Sequence, residues 1–149
     1  MFDVKVDGVA ELREKMKGLP YKVQKQVVQP AVRYGANIIA EQARAIVRHM
    51  DDPTTGRQIA RNIVVKYRSK RSAQIKGVVY SIGVEYPRGR MPKGNPDDGV
   101  NTSHWHLLEL GTEKMRAQPF LVPAAVMRAQ DVSQEIAARA AKRLEKLEL

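Results

Sequence analysis

His104, His106 and Glu109 form the one constellation in the chain whose types and spacing suit a metal ion. Neutral imidazoles and carboxylates are zinc ligands, and along an extended strand alternate residues such as His104 and His106 share a face. His49 is a further imidazole that could join them. Such a site would make the protein a metal-dependent hydrolase. The pattern is loose, because His-x-His around a tryptophan arises readily by chance. Glu109 also has a structural alternative. It sits in a segment ended by Gly111 and followed by Lys114 and Arg116, where a carboxylate suits a cation or turn amides. We therefore expect neither a metal nor a cofactor.

Other reaction chemistry lacks its residues. There is no phosphate-binding glycine loop with a Lys-Ser/Thr end, no Gly-x-Ser-x-Gly elbow and no His-Glu-x-x-His helix. Cysteine is absent, which removes thiol nucleophiles, disulfides and thiolate metal sites together. Asp51-Asp52 and Asp97-Asp98 are acidic pairs, but both lie in turn-like sequence beside Pro or Gly. A magnesium-dependent nuclease needs carboxylates converging from several elements. Catalysis is not expected.

Charge is the strongest compositional signal. The 149 residues carry a formal net charge of +10. Residues 1–50 hold 9 Lys+Arg against 5 Asp+Glu, residues 51–100 hold 10 against 5, and residues 101–149 hold 7 against 6. A basic surface attracts phosphate polymers by counterion release, whatever their sequence, although it also serves simply to keep a protein dissolved. One cluster is free of acids: Lys66, Arg68, Lys70, Arg71 and Lys76. Its members fall at one end of an expected hairpin, with strands at 62–68 and 74–85 joined through Ser69–Ala73.

The elements around these residues follow from periodicity. Phe2–Asp7 alternates apolar and charged residues, the pattern of a short edge strand, and Val9–Gly18 spaces Leu12 and Met16 for a two-turn helix. Tyr21–Met50 carries an apolar stripe through Val28, Ala31 or Val32, Gly35, Ile38 or Ile39, Ala43, Ile46 and Met50, with a kink or break expected at Pro30. Small residues there, from Ala31 to Ala43, allow a close neighbour. Asp51–Gly56 is turn sequence in which Asp or Thr can cap a following helical turn. Residues 86–103 are too dense in Pro and Gly for a regular element and read as a long loop suited to docking a partner. His104–Leu110 reads as a strand or a short helix. From about Pro123 to Lys146, Ala125, Ala129, Val132, Ile136, Ala140, Leu144 and Leu147 mark the apolar face of a long helix, on which Phe120 and Leu121 are docking anchors. No apolar run approaches the roughly 18 residues of a membrane span, and the N-terminus has no basic-then-apolar leader pattern.

Two stretches carry a family resemblance. L-L-E-L-G-T at Leu107–Thr112 and R-A-Q-P-F-L-V-P-A at Arg116–Ala124 resemble the hallmark of the HK97 gp10-like phage proteins, small head–tail junction or tail completion proteins. The V-D-G opening at Val6–Gly8 and T-G-R at Thr55–Arg57 fit the same layout. The resemblance marks Thr55, Gly56, Arg57, Leu108, Glu109, Gly111, Thr112, Pro119, Phe120, Leu121 and Pro123 as structural motif residues. It implies a virion protein made in the host cytoplasm, assembling as a homo-oligomeric ring, expected to be a hexamer. Its partners would be the tail terminator or tube and the head connector. Contact with genomic DNA would be transient, through Lys66, Arg68, Lys70, Arg71 and Lys76 at the lumen, and no membrane is involved. The alternative functions are a non-specific nucleic-acid-binding protein and the metal-dependent hydrolase.

The expected fold is α+β in a single domain over 1–149. A small, mainly antiparallel sheet is built from the N-terminal strand, the 62–68 and 74–85 hairpin and a possible strand at 104–110. Helices at 30–49 and 123–145 cover it.

Overall fold

The computed structural model describes residues 8–51, 58–85 and 102–147. Its elements in order are α1 (Val9–Lys17), α2 (Tyr21–Arg48), α3 (Ile59–Asn62), β1 (Ile63–Tyr67), α4 (Ser69–Ile75), β2 (Tyr80–Val84), α5 (Trp105–Leu110) and α6 (Leu121–Leu147). The chain is α+β, with two long helices and a two-stranded antiparallel sheet. The amide of Arg68 donates to the Val79 carbonyl and that of Glu85 to the Asn62 carbonyl, which brackets the ladder and sets Tyr67 opposite Tyr80. No helix among the described residues is long and apolar enough to cross a membrane. The N-terminal strand expected at 2–7, the T-G-R motif at 55–57 and nearly all of the 86–103 loop lie outside the described residues.

Two expectations are corrected, and one open alternative is decided. Of the kink or break expected at Pro30, the break does not occur, because α2 is helical through it. Val27 and Ala31, on either side of the proline, are both buried in one core, and that shared burial holds the helical path despite one missing backbone bond. The segment 69–75 is helix α4 rather than a hairpin tip. It has no Asn-Gly or Gly-x pair for a tight turn, whereas Lys, Arg, Ala and Gln are good helix formers. The helix ends on Lys76, held at φ 49°, with the Gly77 amide donating to the Ser72 carbonyl at 3.0 Å. Of the strand and the short helix left open at 104–110, residues 105–110 take the helix, α5, in keeping with Leu and Glu and the absence of β-branched side chains.

The chain divides into two compact units. The described part of the first comprises residues 8–38, 65–81 and 127–147. Its core is Val27, Ala31, Ala140 and Leu144, with Leu12, Met16, Leu19 and Ile136 packed against it. The expected close approach of a neighbouring helix occurs at Gly35. A Cβ there would lie 2.8 Å from Ile136 Cδ1 and 2.9 Å from Val132 Cγ1, so α6 rests directly on the α2 backbone.

The second unit comprises residues 39–51, 58–64, 82–85 and 102–126 among those described. Ala40, Ala43, Val47, Ile59, Ala60, Ile63, Phe120 and Ala124 are buried in it. Asp51 caps α3 as turn chemistry suggests, accepting the amides of Ile59 at 2.8 Å and Ala60 at 3.3 Å. Arg44 donates to the Ile63 carbonyl at 2.7 Å, and the Asn62 side-chain amide donates to the buried Thr102 hydroxyl at 2.8 Å. The expected stripes hold at Ala31, Gly35 and Ala43 of α2 and at Val132, Ala140 and Leu144 of α6, and shift by one position elsewhere. Val47 is buried where Ile46 is only half-buried, and Ala124 is buried where Ala125 is exposed.

Candidate functional site

Arg68, Lys70 and Arg71 come together in the first unit. With Tyr67, Ser69, Val79, Tyr80 and Ser81 they line an open concavity of about 660 Å³ formed by β1, α4 and β2. Lys66 and Lys76 are exposed but do not line it. The floor is built by local chemistry. Ser72, buried on α4, accepts the Val79 amide at 2.9 Å and so pins the helix to the residue that leads into β2. Arg68 Nε donates to the Ser81 hydroxyl across the ladder at 2.6 Å. The Tyr67 and Tyr80 rings pack cross-strand, with centroids 5.4 Å apart at 52°.

Charge at this place extends to α2. The Lys25 ammonium lies 5.2 Å from the Tyr67 ring centroid. Hydrogen bonding to Lys25 holds the Tyr67 phenol below its usual pKa, and the Ser72 hydroxyl acts in the same direction. The same bond raises the Lys25 pKa. A cationic, aromatic-floored hollow can bind phosphate oxygens without reading bases.

The imidazoles do not share a face in this fold. His104 directly precedes α5, with no side-chain capping bond, and His106 lies within it, and residues two positions apart on a helix point about 200° apart. Both are exposed, as is His49 beyond the end of α2. No group of three or more metal-ligating side chains exists among the described residues.

Glu109 is engaged elsewhere. Its Oε2 accepts the amides of Phe120 at 2.7 Å and Leu121 at 3.0 Å, and its Oε1 accepts that of Val122 at 3.0 Å. These amides open α6. The next residue, Pro123, has no amide, and Ala124 donates to the Phe120 carbonyl at 3.3 Å, so every donor of the first turn is satisfied. The carboxylate also meets the positive end of the helix dipole. Of the two structural roles open to Glu109, a cation or turn amides, the amides take it.

Between α5 and α6 the chain closes on itself. Gly111 adopts φ 76° with ψ 177°, and a Cβ there would lie 2.7 Å from the Ala117 nitrogen. The Thr112 hydroxyl accepts the Lys114 and Met115 amides at 3.2 and 3.0 Å, and the Leu108 carbonyl accepts the Gln118 amide at 2.7 Å. Phe120 is wholly buried. Leu108, Glu109, Gly111, Thr112, Phe120 and Pro123 thus make one bracket, which gives the motif a physical reason.

Residues 10–111 match the family model described as "Bacteriophage HK97-gp10, putative tail-component", more than half of the 149 residues. The chain belongs to the HK97-gp10-like family. Its matched region ends at Gly111, so the P-F-L-V-P half of the bracket lies beyond the family match while its Glu109 half lies within. No curated protein and no solved structure matches the chain.

Sequence reasoning misses the part played in this HK97-gp10-like chain by Tyr67, Tyr80 and Lys25. In the sequence Tyr67 and Tyr80 are only members of the strands expected at 62–68 and 74–85. Their register as opposite partners depends on the length of the α4 connection, which the expected Ser69–Ala73 hairpin connection leaves too short.

Proposed function

We propose that this protein is a tail completion component of a tailed phage that assembles with copies of itself into a ring, hexameric by expectation, on the DNA path at the head–tail junction. In this reading it joins the tail tube and its terminator to the head connector, resides in the virion after synthesis in the host cytoplasm, and acts by assembly without catalysis. Family membership supports the tail assignment. The observation that carries self-assembly is the apolar surface of the bracket. Leu107, Leu110, Val122 and Val126 are 40%, 78%, 63% and 43% exposed, on two segments that Glu109 ties together. Several large apolar side chains exposed on two segments held together support a protein contact there. The hollow lined by Arg68, Lys70 and Arg71 then serves transient contact with genomic phosphates, weak enough for a duplex to pass.

Leu110→Asp combined with Val122→Asp tests this. The variant should fold, because both side chains are exposed, yet sediment as a monomer and fail to restore infectious particles in a complementation assay. Assembly and infectivity equal to the unaltered protein would contradict the proposal. The net charge of +10 favours a second reading, a non-specific nucleic-acid-binding protein acting free of the virion. Absence of the protein from purified particles would select it.

A further inference from the structure

Near its C-terminal end, α6 carries a second basic surface. Arg139, Lys142, Arg143 and Lys146 follow at the three- and four-residue steps that place side chains on one helix face. All four are exposed, and with Pro30 and Ala31 of α2 they line a groove of about 280 Å³. Arg139 is occupied: its guanidinium stacks 3.3 Å from the Tyr34 ring centroid, and its Nε donates to Glu135 at 3.3 Å. Lys142, Arg143 and Lys146 have no ion-pair partner among the described residues. The nearby Glu145 lines a different groove, with Glu11 and Lys15.

We infer that this strip binds the phosphodiester backbone of duplex DNA, with Lys142, Arg143 and Lys146 each neutralising a phosphate and Arg139 fixed as the rigid end of the row. The chemistry of the groove favours a polyphosphate over an acidic protein. A protein interface is built around apolar or aromatic anchors and is depleted in lysine. Here the only apolar lining is Pro30 and Ala31, and the cations are on long stems that reach into solvent. Regularly repeated cations without an apolar centre are the footprint of phosphate contacts. The helix dipole supports Lys146, which lies in the last turn of α6. Neither self-assembly nor the hollow between β1, α4 and β2 is required, since a monomer carries the strip as well.

The test is fluorescence anisotropy of a labelled duplex of mixed sequence, titrated at several salt concentrations with the full chain. Lys142→Gln, Arg143→Gln and Lys146→Gln are combined in one variant. A second variant removes three exposed cations elsewhere, Lys22→Gln, Lys114→Gln and Arg116→Gln. The slope of log affinity against log salt should fall by about 2–3 in the first variant, near 0.9 for each lost contact, and stay close to the unaltered value in the second. An equal fall in both would mean diffuse charge, and an unchanged slope in the first would mean that the strip does not touch DNA; either overturns the inference. Polyglutamate displacing the duplex at a lower charge concentration than competitor DNA would also overturn it, in favour of an acidic protein partner. If the triple variant unfolds, the single substitutions serve, each expected to lower the slope by about 0.9. Lys70→Glu with Arg71→Glu, assayed in parallel, reports on the other hollow alone and keeps the two surfaces distinguishable.

Discussion

The Phe120 amide donates to the Glu109 carboxylate at 2.7 Å, tying the end of α5 to the start of α6 across eleven positions of sequence. Because the same carboxylate takes the Leu121 and Val122 amides, one side chain orders a whole helix terminus. Glu109→Ala leaves these donors without their acceptor and should cost about 2–3 kcal/mol, which corresponds to a fall in Tm of roughly 4–12 °C. Glu109→Gln should lose most of the same stability, because it keeps one acceptor oxygen and turns an NH2 group towards donors. A thermal melt within error of the unaltered protein would show that the bracket does not hold α6.

Phe120 is wholly buried at the first turn of α6. Phe120→Ala should destabilise by about 3–5 kcal/mol, the range for emptying an aromatic core site. Urea denaturation checks it: the midpoint should fall while the m-value stays constant. An unchanged midpoint would place this ring outside the core.

At Gly111 both backbone conformation and space exclude a side chain. Gly111→Ala should cost about 1–3 kcal/mol from the strained φ/ψ alone, with more from the approach of Ala117. Calorimetry of the variant should show a lower Tm, and equal stability would mean that the 111–118 loop relaxes freely.

Much of the bracket is legible in the residues themselves. Glycine followed by threonine, then Pro-Phe-Leu, signals a turn and an anchored helix, and Glu109 suits turn amides. Residue types do not say which amides, because the partner lies beyond a loop whose closure depends on Thr112 and Gln118. The basic cluster is equally visible as residue types, yet its connecting segment reads as a hairpin tip. Only the capture of the Val79 amide by the Ser72 hydroxyl reveals that the chain makes a helical turn before returning. Periodicity places Ala31, Gly35 and Ala43 of the α2 stripe correctly and misses by one position at Val27 and Val47. Val27 and Val28, or Ile46 and Val47, are equivalent in type, and only packing against a specific neighbour decides between them. Gly35 illustrates the gain from small residues: its absent Cβ admits Val132 and Ile136.

Lys70 and Arg71 are exposed on α4 and line the concavity. Lys70→Glu with Arg71→Glu should leave the thermal melt and the oligomer unchanged, since exposed charges contribute little to stability. It should lower genome retention or particle yield in complementation and weaken any duplex binding, with no change in base preference. Normal particle yield would remove the hollow from the DNA path.

The central claim is that this protein is a ring-forming virion component. Native mass spectrometry of the purified chain, together with its copy number in purified particles, tests that most directly. A closed oligomer, expected as a hexamer, and a fixed low copy number per virion are the anticipated results. A monomer at all concentrations that is absent from purified virions would contradict it.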